Sequence, residues 1–177
     1  SWDQARFETC AHKWVDLSEG NYGVSLMNDC KYGHSFMEST IVLSLIKSGI
    51  QPNPVSDRET HYFTYSLLPH EGDFRVGRTV EESYNLNQEV IVKDNTADKG
   101  KFSLVSVDSP NVVIETVKVA EDGEGKVVRL YESENSYTHV TLKWNGEFSS
   151  VEACNLQERT LSADEASQPV VDEDGIH

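Results

Sequence analysis

The sequence predicts an all-β protein of antiparallel sheets, and three observations carry that prediction. Apolar residues recur with a period of two rather than 3.6, so each segment offers one face to a core. The segments are short and rich in Val, Ile, Thr and aromatic residues, which suit a pleated, half-buried surface. The connections between them are of hairpin or loop length and dense in Gly, Pro, Asn and Asp, too short for the crossovers that parallel strands need.

Taken in chain order, Phe7, Thr9, Ala11 and Lys13 alternate with Glu8, Cys10, His12 and Trp14 as a first strand. Residues 23–27 (GVSLM), 41–46 (IVLSLI) and 61–68 (HYFTYSLL) follow as strands, the last of them aromatic and β-branched. Turn chemistry separates them: Glu19-Gly20-Asn21, then residues 31–35, then the proline loop at 48–57 (SGIQPNPVSD). Residues 77–86 (GRTVEESYNL) predict one or two helical turns, with Thr79 as N-cap and Glu82 three positions on as its capping-box partner. Residues 89–93 (EVIVK) come next, and the polar stretch 94–100 (DNTADKG) has no apolar anchor, which places a domain boundary there. The division is therefore 1–93 and 94–177.

The second part is a series of alternating segments: 102–107 (FSLVSV), 112–120 (VVIETVKVA), 127–133 (VVRLYES), 138–144 (THVTLKW) and 151–157 (VEACNLQ). Asp108-Ser109-Pro110, Asp122-Gly123-Glu124-Gly125, residues 133–136 and Asn145-Gly146 separate them, the last pair being a type I′ hairpin signal. Five such strands predict a β-sandwich of immunoglobulin-like size.

Composition narrows the partners. The 177 residues carry 15 Lys and Arg against 30 Asp and Glu, a net charge of −15, with a pI near 4.7. Polyphosphate binding needs a basic stripe to release counterions, so nucleic acid is excluded as a partner, and an anionic membrane surface with it. The excess lies mainly in the second part: residues 1–93 hold 13 acidic and 8 basic groups, a net −5, and residues 94–177 hold 17 and 7, a net −10. Apolar residues make up 37% and aromatics 9%, enough core-forming material for folding despite a mean hydropathy of −0.50. No apolar run approaches the ~20 residues that span a bilayer. Cys10, Cys30 and Cys154 form no CxxC pair and are odd in number, which fits neither a disulfide framework nor a zinc finger and points to a reducing compartment. No N-glycosylation sequon is present. The start SWDQARFE has no signal-peptide pattern, and the absence of an initiator Met together with the DEDGIH end reads as a piece of a longer polypeptide.

The chemistry-bearing residues contain no self-sufficient active site. His12, His34, His61, His70, His139 and His177 show no metal-ligand spacing, so no metal ligand is assigned to this chain. Glu81-Glu82 and Asp172-Glu173-Asp174 are adjacent runs, which read as solvated surface. There is no GxSxG, no Gly-rich phosphate loop, and no base beside Cys30. The stretch that stands out is Asn28, Asp29, Cys30, Lys31, Tyr32 and Gly33, where a strand ends and at once presents an amide, a carboxylate, an ammonium and a phenol before a Gly that permits a tight bend. Such a group suits recognition of sugar hydroxyls or support of another domain's site. The other reading is an Asx-type turn in which Asn28 and Asp29 bond nearby backbone while Tyr32 packs. Tyr62, Phe63 and Tyr65 read as sandwich core.

These residues also carry a family resemblance. Ser1-Trp2-Asp3, Ala5-Arg6-Phe7-Glu8, His12-Lys13-Trp14, Asp16-Leu17-Ser18-Glu19 and Tyr22-Gly23 through Asn28-Asp29-Cys30-Lys31-Tyr32-Gly33 resemble the late region of family 38 glycoside hydrolases, the α-mannosidases of the cytosolic, vacuolar and bacterial branch. A second match is LSLI followed by the proline loop, Asp57, His61, Phe63-Thr64-Tyr65, Leu67 and Pro69-His70. A third is Asn85-Leu86-Asn87, then SPNVVIETVK and VVRLYE. The likeness is most specific over the first 70 residues and fades beyond Gly146. Asn85 stands where the family has Ser, and the acidic segment 162–174 diverges.

The resemblance implies the end of a galactose-mutarotase-like super-sandwich over 1–93, followed by a smaller immunoglobulin-like sandwich over 94–177, truncated at its last strand. That truncation predicts an exposed edge or an incompletely covered core. It implies the non-catalytic C-terminal β domain of a retaining, metal-dependent α-mannosidase that hydrolyses terminal α-mannosyl residues of oligosaccharides. An Asp nucleophile, an acid and a divalent metal, usually zinc, would lie in an N-terminal catalytic barrel. No catalytic residue and no cofactor is therefore assigned to this chain, which alone is expected to be inactive. Its expected partners are that barrel and a mannose-containing oligosaccharide, its expected compartment the cytoplasm, and an oligomeric parent enzyme is compatible with the sequence. Asn28, Asp29, Lys31, Tyr32 and Gly33 become the group facing the active site. The competing reading is a stand-alone carbohydrate-binding or structural interaction β-sandwich, with an exposed aromatic platform built from Tyr131, Tyr137 or Trp144.

Overall fold

The computed structural model describes residues 7–94 and 100–177. The Ser1-Trp2-Asp3 and Ala5-Arg6 part of the opening motif, and residues 95–99 of the expected boundary stretch, lie outside the described residues. The chain divides into two compact units, Ser1–Asp94 and Asn95–His177.

In the first unit the strands are β1 (Thr9–Cys10), β2 (Trp14–Glu19), β3 (Tyr22–Asn28), β4 (Gly33–Met37), β5 (Thr40–Ser44) and β6 (Tyr65–Glu71), followed by one helix, α1 (Thr79–Asn87). They form two antiparallel sheets, in the orders β2-β3-β6 and β1-β4-β5. Cross-strand register gives the first sheet two unlike faces. Val15 lies opposite Leu26, which lies opposite Leu67, and Leu17, Val24 and Pro69 make the next row of this apolar face. The other face carries Asp16, Ser25 and His70, and α1 packs on β2 and β3.

That second face is polar yet buried, so its groups must satisfy one another. Asp16 Oδ1 accepts from Ser25 Oγ at 2.7 Å and from His70 Nε2 at 2.7 Å. Ser25 and Thr79 join their hydroxyls at 2.6 Å, which fastens the first turn of the helix to the sheet. The His70 and Asp16 side chains are only 4% and 7% exposed, and Ser25 and Thr79 are fully buried. Two glycines make room for the imidazole. A Cβ on Gly23 would strike the His70 ring, and one on Gly77 would stand 2.5 Å from its Cγ. Apolar packing completes the site, with Trp14 stacked on Phe74 at 5.1 Å and Met27 buried in β3.

Several sequence expectations are corrected. The alternation from Phe7 to Trp14 yields only the two-residue β1, because the chain bends before β2 starts at Trp14. Residues 31–35 are not a turn: Gly33, His34 and Ser35 open β4, paired with β1 and β5. The aromatic strand begins at Tyr65 rather than residue 61 and runs on to Glu71. Thr79 does not cap α1, since its hydroxyl is taken by Ser25. The N-cap is Arg78, in a left-handed conformation with φ 52° and no side-chain cap bond. Asp73 shapes the entry instead, accepting the N–H of Arg75 at 3.0 Å while its own carbonyl accepts Gly77 N–H at 3.0 Å.

The second unit holds β7 (Val105–Val107), β8 (Val112–Val119), β9 (Lys126–Glu132) and β10 (Leu142–Trp144). They form two antiparallel ladders, β8 with β9 and β7 with β10, and Ile176 bridges both Leu142 and Val171. The all-β antiparallel reading stands, with shorter strands than the alternation suggests. Only residues 105–107 and 142–144 of their segments are paired, and 151–157 contributes a single bridge, Cys154 to Thr160. Asn145-Gly146 makes no hairpin: Asn145 donates its N–H to Leu104 O at 2.8 Å and its amide to Ser103 O at 2.6 Å, so it pins the end of β10 back onto the β7 side. The long connection from β9 to β10 is organised by Glu132, whose carboxylate accepts the N–H groups of Glu134 (2.8 Å) and Ser136 (3.0 Å) and the Asn111 amide (2.8 Å). Desolvation pushes the Glu132 carboxyl up, but these donors outweigh it and bring it down to about 2.

Two outcomes follow for stability. His70→Ala takes from buried Asp16 one of its two hydrogen-bond donors and is expected to cost about 1–3 kcal/mol. Gly77→Ala crowds the same ring and should cost about 1–3 kcal/mol. Urea unfolding followed by Trp fluorescence measures both, and Asp16→Ala combined with His70→Ala should cost less than the two separate losses together. In the second unit, the lowered Glu132 carboxyl contributes stability above its unfolded value of 4.5, and that contribution is lost as pH falls through about 2. Glu132→Gln should lower stability at neutral pH and flatten the acid limb of a pH–stability curve; an unchanged limb counts against the role given to Glu132.

Candidate functional site

The connection leaving β3 is built by side chains that bond to backbone. Asn28 is fully buried, and its Oδ1 accepts Lys31 N–H at 2.8 Å, which closes an Asx-type turn. Asp29 pairs with Thr64 in both directions: its N–H donates to Thr64 O at 3.1 Å, and its Oδ2 accepts Thr64 N–H at 2.8 Å. Its second oxygen, Oδ1, is buried with no hydrogen-bond partner. The neighbouring Cys30 thiol donates to Tyr62 O at 3.8 Å. The Cys30 thiol and the Thr64 N–H together hold the Asp29 carboxyl below the usual range, and in return that carboxylate, together with desolvation, raises the thiol of Cys30.

Neighbouring elements fix this turn from three sides. His34, fully buried on β4, places Nδ1 3.1 Å from Tyr32 O and Nε2 3.5 Å from the Asn28 amide. From the last residue of α1, Asn87 donates its amide to Asn28 O at 3.1 Å and to Ser83 O at 2.8 Å. The Ala11 N–H donates to Tyr32 O at 3.0 Å, and Asn28 N–H to Lys13 O at 2.9 Å. Gly33 does not act as a bend. It opens β4, where a Cβ would stand 2.8 Å from Glu8 Oε1, the end of a flexible side chain, and 3.2 Å from Ser44 Cβ, a tight fit against β5.

The five predicted site residues therefore divide. Asn28 and Asp29 are occupied in shaping backbone, as the Asx-turn reading expects, and Gly33 is a packing position. Lys31 and Tyr32 carry groups outward. The Lys31 ammonium sits 5.1 Å from the centroid of the Phe63 ring, and Tyr32, 45% exposed, packs on His12 at 4.5 Å. The result is a phenol, an ammonium and an imidazole on a rigid mount. That set can donate hydrogen bonds to hydroxyls or stack on a sugar ring; it contains no nucleophile activated by a base. Sequence reasoning missed His12, His34, Phe63 and Asn87 as parts of this site. His34 could have been found from its place next to Gly33, one residue inside a strand.

Among the described residues, no group of three or more His, Cys, Asp or Glu side chains is placed to hold a metal ion, and no helix is long and apolar enough to cross a membrane. In the second unit Lys126 lies over Trp144 at 5.6 Å, and the exposed Tyr137 meets His139 edge-on at 5.1 Å. The second unit has a groove of about 780 Å³, lined by Val128, Leu130, Leu142, Trp144, Phe148 and Ile176 among others.

Residues 1–55 match the family model for the glycosyl hydrolases family 38 C-terminal domain, and residues 111–174 match the one for the glycosyl hydrolases family 38 C-terminal beta sandwich domain. The second match reaches well past Gly146, where the motif likeness fades. Alpha-mannosidase 2C1 of Homo sapiens is 40% identical over 164 residues, covering 90% of this chain and 16% of that protein. Alpha-mannosidase G of Dictyostelium discoideum is 40% identical over 138 residues, 75% of this chain and 13% of that protein. An alpha-mannosidase of Saccharomyces cerevisiae is 35% identical over 150 residues, 75% and 14%. The chain thus spans about a sixth or less of the length of these curated relatives. The crystal structure of a protein in the glycosyl hydrolase family 38 from Enterococcus faecalis superposes with a TM-score of 0.73 at 16% identity, covering 96% of this chain and 21% of that one, a likeness of fold.

The raised Cys30 thiol gives the site a chemical signature. Alkylation of Cys30 by iodoacetamide at mildly alkaline pH, read by peptide mass spectrometry, should be slow, because little thiolate is present. Asp29→Asn removes the opposing charge and should accelerate it severalfold; an unchanged rate would show that Asp29 does not control this thiol.

Proposed function

The chain belongs to glycosyl hydrolase family 38, as part of its C-terminal β region, and on that premise we propose that it is the non-catalytic C-terminal β portion of a longer, retaining, metal-dependent α-mannosidase. The observation that carries this reading is the pairing of family matches at both ends of the chain with relatives that are α-mannosidases several times its length. The substrate is a terminal α-mannosyl residue on a free or released oligosaccharide. The compartment is cytoplasmic, in keeping with three free cysteines that are all exposed.

The family resemblance assigns the metal, usually zinc, and the nucleophile to a catalytic barrel outside this stretch. What this chain supplies is the mount at Asn28, Asp29, Lys31, Tyr32 and Gly33, with Lys31 and Tyr32 directed at the mouth of the active site. Their donors suit sugar hydroxyls at positions that no nucleophile needs to reach.

Two measurements test this. The isolated chain with zinc added should release no mannose from an aryl α-mannoside, and release would place the chemistry here. In the full-length enzyme, Tyr32→Phe and Lys31→Ala should each lower kcat/KM about tenfold, equivalent to about 1.4 kcal/mol of transition-state binding. Unchanged kinetics for both variants would remove the turn from the substrate path.

A further inference from the structure

Asn145 and Gly146 lie exposed just past the end of β10. Of the ten asparagines in the chain, Asn145 alone is followed by glycine. That order is chemically reactive, because a residue without a side chain lets its backbone nitrogen approach the preceding asparagine Cγ and close a five-membered ring. Yet the fold needs both residues where they stand. Asn145 donates its N–H to Leu104 O at 2.8 Å and its side-chain amide to Ser103 O at 2.6 Å. A Cβ on Gly146 would stand 2.7 Å from Trp144 Nε1 and 3.4 Å from its Cδ1, so the indole lies against a backbone that only glycine leaves open.

The attacking nitrogen is available. Among the described residues, Gly146 N–H meets no hydrogen-bond acceptor. The Asn135-Ser136 pair differs, since Ser136 N–H donates to Glu132 Oε2 at 3.0 Å. What restrains Asn145 is its side chain: Cγ must swing onto the Gly146 nitrogen, and the bond to Ser103 O must open first.

We propose that Asn145 is a site of spontaneous deamidation in the folded protein, gated by its tether to Ser103, and that the product unfastens the Trp144 end of β10 from β7. The Gly146 nitrogen attacks Asn145 Cγ, the Cγ–Nδ2 bond breaks, and Nδ2 leaves as ammonia with the proton that Gly146 gives up through water. Water then opens the cyclic imide at either carbonyl, giving aspartate or isoaspartate, and nothing is oxidised or reduced. Either product sets a carboxylate where an amide had donated to the Ser103 carbonyl, so two acceptors meet and the tether is lost. β7 and β10 pair only through Leu142–Val107, Lys143–Ser106 and Trp144–Val105. Leu142 is also held by Ile176, its N–H donating to Ile176 O at 2.8 Å and its carbonyl accepting Ile176 N–H at 3.0 Å. The loss is therefore felt at Trp144 while Leu142 stays in place.

Ageing the chain at mildly alkaline pH, in buffer and in urea, with peptide mass spectrometry as the readout, tests this. Asn145 should convert before any other asparagine in both samples, and about tenfold faster in urea, where no tether persists. The converted protein carries one more negative charge and separates by anion exchange. In that fraction, hydrogen exchange of a peptide covering Leu142–Trp144 should be severalfold faster than in the unconverted fraction of the same sample. Asn145→Gln, which would have to close a larger ring, should abolish the converted fraction. An Asn145 still intact in buffer once the urea sample has converted overturns the proposal, and so does an equal rate in the two, since the tether would then gate nothing. Unchanged exchange in the converted fraction overturns the unfastening of β10, and a converted fraction that persists in Asn145→Gln places the reaction at another residue.

Discussion

The first unit depends on one buried imidazole. His70 on β6 reaches across the sheet to Asp16 on β2, while Gly23 and Gly77 leave it the space to do so. Ser25 and Thr79 extend this pair into a linked set of four buried side chains. The Asp16 carboxylate orients Ser25, Ser25 meets Thr79, and Thr79 seats the helix. A buried polar pair adds little net stability over an apolar replacement, but removal of one partner leaves the other without its hydrogen bond. The arrangement therefore fixes which strands are neighbours and where α1 begins, a matter of specificity more than of strength.

The same chain of contacts reaches the candidate site. The helix that Thr79 anchors ends at Asn87, whose amide grips the carbonyl of Asn28, and Asn28 in turn shapes the turn that presents Lys31 and Tyr32. His34 holds the turn from the other sheet. Interactions at the two ends of a nine-residue helix thus link the core of the unit to a surface group. Preorganisation of this kind matters for recognising a hydroxylated ligand, because a mount fixed in advance loses little conformational freedom on binding.

The sequence made much of this legible and hid the rest for physical reasons. Sequence patterning located β3, β5, β8 and β9, each of which pairs with a strand next to it in the chain. It overextended β1, β7 and β10, because an apolar alternation becomes a strand only where a partner edge is available. Thr79 and Glu82 matched a capping box, yet a buried hydroxyl on the sheet competed for Thr79 and won, an instance of tertiary context overriding local propensity. Gly33 suggested a bend because glycine serves both turns and close packing, and only the neighbouring strands decide between them. Within the site, the split of the Asn28 to Gly33 group into backbone-shaping and outward-facing members turns on Thr64, Asn87 and His34. Of these, Thr64 and Asn87 lie far along the chain, so no local pattern could reveal them.

On the proposed reading, this chain supports an active site formed elsewhere in the polypeptide, through the turn that carries Tyr32. Incorporating a photo-crosslinking phenylalanine analogue in place of Tyr32 in the full-length enzyme tests this directly. Irradiation should join position 32 to a peptide outside this stretch, and a mannose-like competitive inhibitor should suppress that product. Crosslinks confined to this chain, or a yield indifferent to the inhibitor, would contradict the claim.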